Sequence, residues 1–245
     1  MRRTLIMQSQ NLANPSSQDL SIQSQGSFIQ SQDLSNQSKM LFLTVEGIEG
    51  VGKSTAVKFI QDYLIKAQIH FVVTREPGGT PIAEEVRRVL LTSQAEEIMV
   101  PETELLLMFA CRIQHIHHVI MPALKKGQWV ISDRFVDASF AYQGGGRGID
   151  MPHIEMLERW LIKDLQPDRT ILLDAPPEIG LARAKHRGSQ DRIEQEKIAF
   201  FERVRAGYLD RAKRDVKRFR IVNAAQSLEN VQAEIKKILD ENIEK

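Results

Sequence analysis

The sequence predicts an α/β fold in three layers, a five-stranded and mainly parallel sheet flanked by helices. Three observations carry that expectation. From residue 40 onward, short β-rich runs alternate with longer helical patterns, as βαβ units require. The first run, Leu41-Phe42-Leu43-Thr44-Val45, passes through a glycine-rich turn into a helical pattern that reaches about Leu64. With 245 residues, 42% of them hydrophobic, the chain can fill one substantial core.

Taken in order, the strands are expected near Leu41–Glu46, His70–Thr74, Gln128–Ser132, Arg169–Asp174 and Arg218–Val222. The helices are expected over about Lys53–Lys66, Pro81–Leu91, Glu102–Lys126, Val136–Tyr142, Pro152–Lys163, Pro177–His186, Glu194–Lys213 and Leu228–Glu244. Pro81, Pro152 and Pro177 suit first-turn positions, where a missing N–H costs nothing. Pro122 falls inside the longest helical pattern and should kink it or end it near Met121. That helix carries Leu105, Leu106, Leu107, Met108, Phe109, Ile113, Ile116, Val119 and Ile120 on more than one face. A surface helix needs one apolar stripe, so the excess predicts deep burial or a subunit contact, and a homodimer through the helix starting near Glu102 is the expected assembly.

Residues 1–39 differ in kind. Gln and Ser dominate, and Ser17-Gln18-Asp19-Leu20-Ser21 recurs as Ser31-Gln32-Asp33-Leu34-Ser35. Such a segment buries too little apolar surface to offset the entropy of ordering its backbone, so a disordered extension is expected, followed by one catalytic domain over 40–245. A partner-binding tail and a translation start at Met40 are the alternatives.

Charge is nearly balanced, 33 basic residues against 32 acidic, so no global field points to nucleic acid or to an anionic membrane. Cys111 is the single cysteine, which fits a reducing compartment. The longest wholly apolar run, Leu105 to Cys111, is far short of the roughly 20 residues that cross a bilayer. Nor does the apolar stretch after Arg2-Arg3 have the length of a secretory signal. A cytoplasmic protein is expected, with no nucleic-acid and no membrane partner.

The turn itself reads Gly47-Ile48-Glu49-Gly50-Val51-Gly52-Lys53-Ser54. Between a strand and a helix this is the G-x-x-x-x-G-K-[ST] pattern, so the architecture expected is that of a P-loop NTPase. Its glycines let several backbone N–H groups converge where the positive end of the helix also favours an anion. All eight residues are therefore assigned to ATP, with Lys53 reaching the outer phosphates and the Ser54 hydroxyl on Mg²⁺.

A second phosphate site is suggested by arginines at carboxyl ends of strands, where ligands of open α/β sheets lie. Arg75 follows the second strand beside Glu76, and Arg134 follows the third beside Asp133. A guanidinium grips phosphate bidentately, while each neighbouring carboxylate could hold that arginine or Mg²⁺. A nucleotide-dependent switch would share the glycine loop but leave Arg75, Arg134, Phe109 and Gln143 without a purpose.

Together Gly47–Ser54, Thr74–Pro81, Asp133-Arg134, the run Ala141-Tyr142-Gln143-Gly144-Gly145-Gly146-Arg147-Gly148 and Asp191-Arg192-Ile193-Glu194 resemble the bacterial thymidylate kinases, from Met40 to the carboxyl end. The resemblance implies transfer of the ATP γ-phosphoryl to dTMP, giving dTDP, in dTTP biosynthesis. It implies that Arg134 and Arg87 bind the dTMP phosphate with Arg75 close by, that Phe109 stacks on thymine, and that Arg112 hydrogen-bonds its edge. Ser139 and Gln143, four apart on one helical face, complete thymine recognition. In the family the stacking Phe often precedes the Arg by four residues, whereas Phe109 precedes Arg112 by three and Met108 holds the other place. For Met108 simple core packing is the preferred reading.

The resemblance also implies a short mobile lid, here about 183–193. Val51 carries no charge where some relatives place an arginine, so Arg183 and Arg187 of the lid become the candidates for stabilising the transferring phosphoryl. Glu49 is expected to hold an arginine or the acceptor's sugar hydroxyl. Glu76 and Asp133 join Ser54 as Mg²⁺ ligands. His115, His117 and His118 lack a completing set of ligands and are read as surface or interface residues rather than a metal site.

Overall fold

A computed structural model describes residues 41–92, 97–185 and 191–243. The proposed disordered extension lies outside the described residues, as do Arg187 and the rest of residues 186–190 in the proposed lid. The five strands are β1 (Phe42–Glu46), β2 (Phe71–Arg75), β3 (Trp129–Asp133), β4 (Arg169–Asp174) and β5 (Phe219–Asn223). All pair in parallel, in the order β2-β3-β1-β4-β5.

β1 is central and buried along its whole length, which its nearly uninterrupted apolar sequence permits, since helices cover both faces of a parallel sheet. Successive side chains alternate between those faces. Phe42 and Val130 join Leu105, Phe109 and Ile120 on one side. Leu43, Val45 and Ile131 join Ile60, Leu64, Phe201 and Val204 on the other. The register aligns Asp133 with both Val45 and Arg75, so the loops that follow β1, β2 and β3 open at one edge of the sheet.

The helices are α1 (Lys53–Lys66), α2 (Pro81–Leu91), α3 (Pro101–His115), α4 (Met121–Lys125), α5 (Val136–Ser139), α6 (Met151–Leu157), α7 (Pro177–Lys185), α8 (Ile198–Arg214) and α9 (Leu228–Ile243). α1 and α2 have the bounds the sequence predicts. Pro81 sits in the first turn of α2, whose cap is the Thr80 hydroxyl accepting from the Ala83 N–H at 3.2 Å.

Three stretches depart from expectation because they wind as π-helix: Ile116–Ile120, Phe140–Gly146 and Glu158–Ile162. The first answers the problem of Pro122. The chain neither stops nor breaks at Met121, because i→i−5 bonding just upstream, with the Met121 N–H reaching the Ile116 carbonyl, lets it continue into α4. α8 begins at Ile198 rather than Glu194. Asp191 Oδ1 accepts from the N–H groups of both Ile193 and Glu194 at 2.9 Å, a side-chain turn that competes with helix.

Candidate active site

The glycine loop joins the buried end of β1 to α1. Gly47, Gly50 and Gly52 all have positive φ, at +136°, +73° and +97°. Gly50 admits no side chain for a second reason: a Cβ there would lie 1.8 Å from the Gly180 carbonyl oxygen of α7. Lys53 turns back over the loop, donating from Nζ to the Gly47 and Ile48 carbonyls at 3.1 and 2.8 Å. Burial, with the Arg134 charge nearby, pushes its pKa down to about 8. The side chains of Ile48 and Val51 pack into the core, so these two positions offer only backbone to a ligand.

Gly50, Gly52, Lys53 and Ser54 form one wall of a cleft of about 210 Å³ whose other walls carry Arg75, Arg87, Arg112 and Arg134. Arg134 sits at the end of β3 with φ +72°, a strained conformation for a residue with a side chain. It is held redundantly. The Ser132 hydroxyl donates to its carbonyl at 2.6 Å, and its own N–H donates to the Val45 carbonyl at 3.0 Å. Its guanidinium donates to the Gly47 carbonyl and the Tyr208 hydroxyl at 3.0 Å and to Glu49 Oε1 at 2.8 Å, while lying 4.7 Å from the centre of the Tyr142 ring. Tyr142 in turn donates to Glu49, and Tyr208 donates to Glu46 Oε2 at 2.7 Å. Glu46 is wholly buried, accepts also from the Phe135 N–H at 2.7 Å, and has its pKa pushed up to about 8 by that burial.

Deeper in the cleft, Arg112 is 2% exposed and held by three partners, Glu76 Oε2 at 2.7 Å, the Ser139 hydroxyl at 3.0 Å and the Phe135 carbonyl at 3.1 Å, which leave two of its five N–H donors. Arg75 pairs with Glu84 at 2.9 Å, and Arg87 donates to the Pro77 carbonyl at 2.7 Å.

The family profile described as thymidylate kinase matches residues 45–235. The chain belongs to the thymidylate kinase family. It is 52% identical over 204 residues to the thymidylate kinase of Pseudomonas syringae pv. tomato, a match covering 83% of this chain and 97% of that protein. With the thymidylate kinase of Ruthia magnifica it shares 48% identity over 198 residues, 81% of this chain and 96% of the relative. Among solved structures, the crystal structure of thymidylate kinase from Ehrlichia chaffeensis superposes with a TM-score of 0.66 at 33% identity, covering 82% of this chain and 98% of that one.

In this member of the thymidylate kinase family, the cleft gathers Arg75, Arg87, Arg112, Arg134, Ser139 and Gln143, which the sequence proposed as one substrate site, beside Glu49, Lys53 and Ser54. Five expectations need correction. Phe109 does not face the cleft: it is 1% exposed, packs with Phe42 and Leu105 in the core, and touches Arg112 only from behind, its ring centre 4.8 Å from the guanidinium carbon. Met108 takes the wall position, one residue earlier and one helical turn from Arg112, so it rather than Phe109 faces the cleft, against the core role preferred from sequence.

Glu76 is not free for Mg²⁺, because Oε2 accepts from Arg112 and Oε1 contacts His115 Nδ1 at 2.9 Å. His115 is correspondingly buried, its Nε2 2.6 Å from the Thr74 hydroxyl, and is not a surface residue; His117 and His118 are exposed. Arg183 does not line the cleft. It donates to the Ala224 carbonyl at 2.8 Å, beyond β5. Asp133 and Ser54 do line it, and Asp133 Oδ1 is a buried acceptor with no hydrogen-bond partner.

Glu46, Glu104, Tyr142 and Tyr208 have no role assigned from sequence, although Glu104, Tyr142 and Tyr208 contact residues that line the cleft and Glu46 reaches Arg134 through Tyr208. A buried carboxylate leaves no local signature, since its partners come from distant segments. Tyr142 lies inside the A-Y-Q-G run, the one signal that could have drawn attention to it.

Proposed function

We propose that this chain transfers the γ-phosphoryl of ATP to dTMP, giving ADP and dTDP, with ATP on the glycine loop and dTMP against the facing arginines. The observation that carries the reading is the opposition of Lys53 and Ser54 to Arg75, Arg87 and Arg134 across one cleft. The acceptor is a phosphate oxygen already ionised near neutral pH. No strong general base is needed, and the work is positioning and charge neutralisation.

Arg134 and Arg87 grip the acceptor phosphate, with Arg75 at its edge. An oxygen of that phosphate forms the new bond to the γ-phosphorus as the bond to the β-γ bridging oxygen breaks, and the electron pair leaves with ADP. Lys53 exchanges its two carbonyl partners for phosphate oxygens and spreads the moving charge. Glu49 keeps Arg134 aimed into the cleft. Arg112, Ser139 and Gln143 address the edge of the thymine ring, and Met108 supplies an apolar wall for its face.

Mg²⁺ fits the residues present, because the orphaned acceptor of Asp133 and the hydroxyl of Ser54 line the phosphate end of the cleft. They would hold the ion, which supplies charge neutralisation on the ATP phosphates. Among the described residues no group of three or more His, Cys, Asp or Glu forms a metal centre. Arg187 remains the proposed lid contribution; Arg183 is withdrawn from that role.

The same proposal takes residues 40–245 as the catalytic domain, places the enzyme in the cytoplasm and pairs two copies through α3. A stripe formed by Leu106, Ala110 and Ile113 is left partly or fully exposed on α3, and Met156 and Trp160 nearby are 54% and 69% exposed. Among the described residues no helix is long and apolar enough to cross a membrane. Supplying ATP, Mg²⁺ and each nucleoside monophosphate in turn tests the activity: dTMP should be consumed fastest, and a preference for a purine acceptor would overturn the thymine assignment. Sedimentation at micromolar concentration tests the dimer, and a single monomeric boundary would refute it.

A further inference from the structure

Glu104, in the first turn of α3, is a charged residue with no exposed surface. Its Oε1 lies 2.8 Å from Gln143 Nε2, while Oε2 takes Arg147 Nε at 3.1 Å and Arg192 NH2 at 2.7 Å. A carboxylate clamped between two guanidiniums can only accept hydrogen bonds. The Gln143 amide must therefore present its NH₂ to Glu104, and the orientation that is usually ambiguous for a glutamine is decided by charge. Gln143 is 2% exposed and lines the cleft. Its Oε1 has no protein donor among the described residues and is not among the buried atoms left unpartnered, so the amide oxygen is the group offered to a ligand.

We propose that Glu104 is the positioning residue for base selection: by holding the NH₂ of Gln143 it turns the amide oxygen toward the base, selecting a pyrimidine with an N–H at ring position 3 over one with a bare nitrogen there. Thymine carries that N–H; cytosine presents a lone pair, which would face the oxygen without a proton between them. A site built to meet a donor rejects the analogue lacking it because a buried acceptor is left unpaired. The inference rests on the placement of the thymine ring against Gln143 given above.

The test is kcat/KM for dTMP and for dCMP in Glu104→Gln. An amide at 104 can donate or accept, so Gln143 is free to turn over. The dTMP-to-dCMP ratio should fall at least tenfold, through a raised KM for dTMP with kcat largely kept. Lost packing alone would depress both substrates in proportion, and an unchanged ratio overturns the inference. Should the single variant fold poorly, the exchange Glu104→Gln with Gln143→Glu keeps the pair's shape and charge and restores an acceptor-only group at 143. The ratio should then return toward the wild-type value, and failure to recover in a folded protein counts against the proposal. Gln143→Met separates the two layers. An unaltered KM for dTMP there would overturn the base placement and this inference with it, whereas a raised KM beside an unchanged ratio in Glu104→Gln sinks the inference alone.

Discussion

Alkaline pH should disable ATP capture before it disables turnover, and the reason lies in Lys53. Among the described residues its ammonium has the Gly47 and Ile48 carbonyls as its hydrogen-bond partners, and burial beside Arg134 brings its pKa to about 8. One pH unit above that value, about one molecule in ten keeps the charge, so kcat/KM for ATP should fall roughly tenfold per unit above pH 8. Phosphate ionisation does not interfere, because the second pKa of a phosphate is about 6, and saturating dTMP keeps its ring imide out of kcat/KM for ATP. Bound ATP replaces neutral carbonyls with anionic oxygens and favours the cation, so kcat itself should hold its plateau to higher pH. Unfolding through this group does not mimic the effect. Lys53 binds its proton less tightly folded than unfolded, so its contribution to native stability rises as pH climbs from about 8 toward 10.5. Steady-state rates from pH 6.5 to 10, with circular dichroism to confirm the fold, measure both limbs. Lys53→Ala should lose on the order of 10³-fold in kcat, the scale of an essential phosphoryl-stabilising cation, and lose the alkaline limb with it. A flat kcat/KM to pH 9.5, or the same limb surviving in Lys53→Ala, would refute the reasoning.

Glu46 has the opposite sign: its folded pKa is raised to about 8 from 4.5, so its contribution to stability is full below 4.5 and is lost as pH rises through 8. Subtracting the denaturation profile of Glu46→Gln from that of the wild type should expose a slope approaching roughly 1.4 kcal/mol per pH unit between those limits, and no slope would reject the assignment. Tyr208→Phe leaves Glu46 Oε2 without its donor and Arg134 without one acceptor, and should cost about 1–3 kcal/mol by calorimetry, with weaker binding of dTMP. Gly180→Ala would put a methyl carbon 2.4 Å from the Glu49 carbonyl oxygen, so the phosphate loop must shift, and KM for ATP should rise, with a smaller loss in dTMP binding because Glu49 also holds Arg134. Titration calorimetry with each nucleotide alone would check the last point.

What the sequence discloses depends on how local the cause is. The bounds of α1 and α2, the strand-loop-helix at Gly47–Ser54 and the arginines after β2 and β3 all follow from nearest-neighbour chemistry: caps, periodicity and glycine. The rotation of α3 does not. Leu105 through Phe109 are all apolar, so nothing in the pattern says whether Met108 or Phe109 faces the cleft, and only packing against Phe42 and Phe135 decides it. π-winding is invisible for a related reason, since i→i−5 bonding leaves no period in a segment of five to seven residues. Buried acids are the hardest case. Glu46, Glu104 and Asp137 look like surface residues until Tyr208, Arg147, Arg192, Arg211 and Arg218 arrive from far along the chain to satisfy them. Glu76 was misread by the same route, its neighbours in sequence suggesting a metal while its neighbours in space are Arg112 and His115.

The central position of β1 also divides the molecule between the two nucleotide sites proposed above. The proposed acceptor contacts, Arg75 to Gln143, are drawn from the stretch between residues 71 and 147, whereas the phosphate loop stands on β1 and leans on α7 from the opposite half of the sheet. Arg134 and Tyr142 both tie that stretch to the loop through Glu49, the first as an ion pair. Grafting that stretch from a kinase with another acceptor, while keeping this ion pair, is therefore the smallest exchange expected to rewrite what is phosphorylated without relearning how the donor is held.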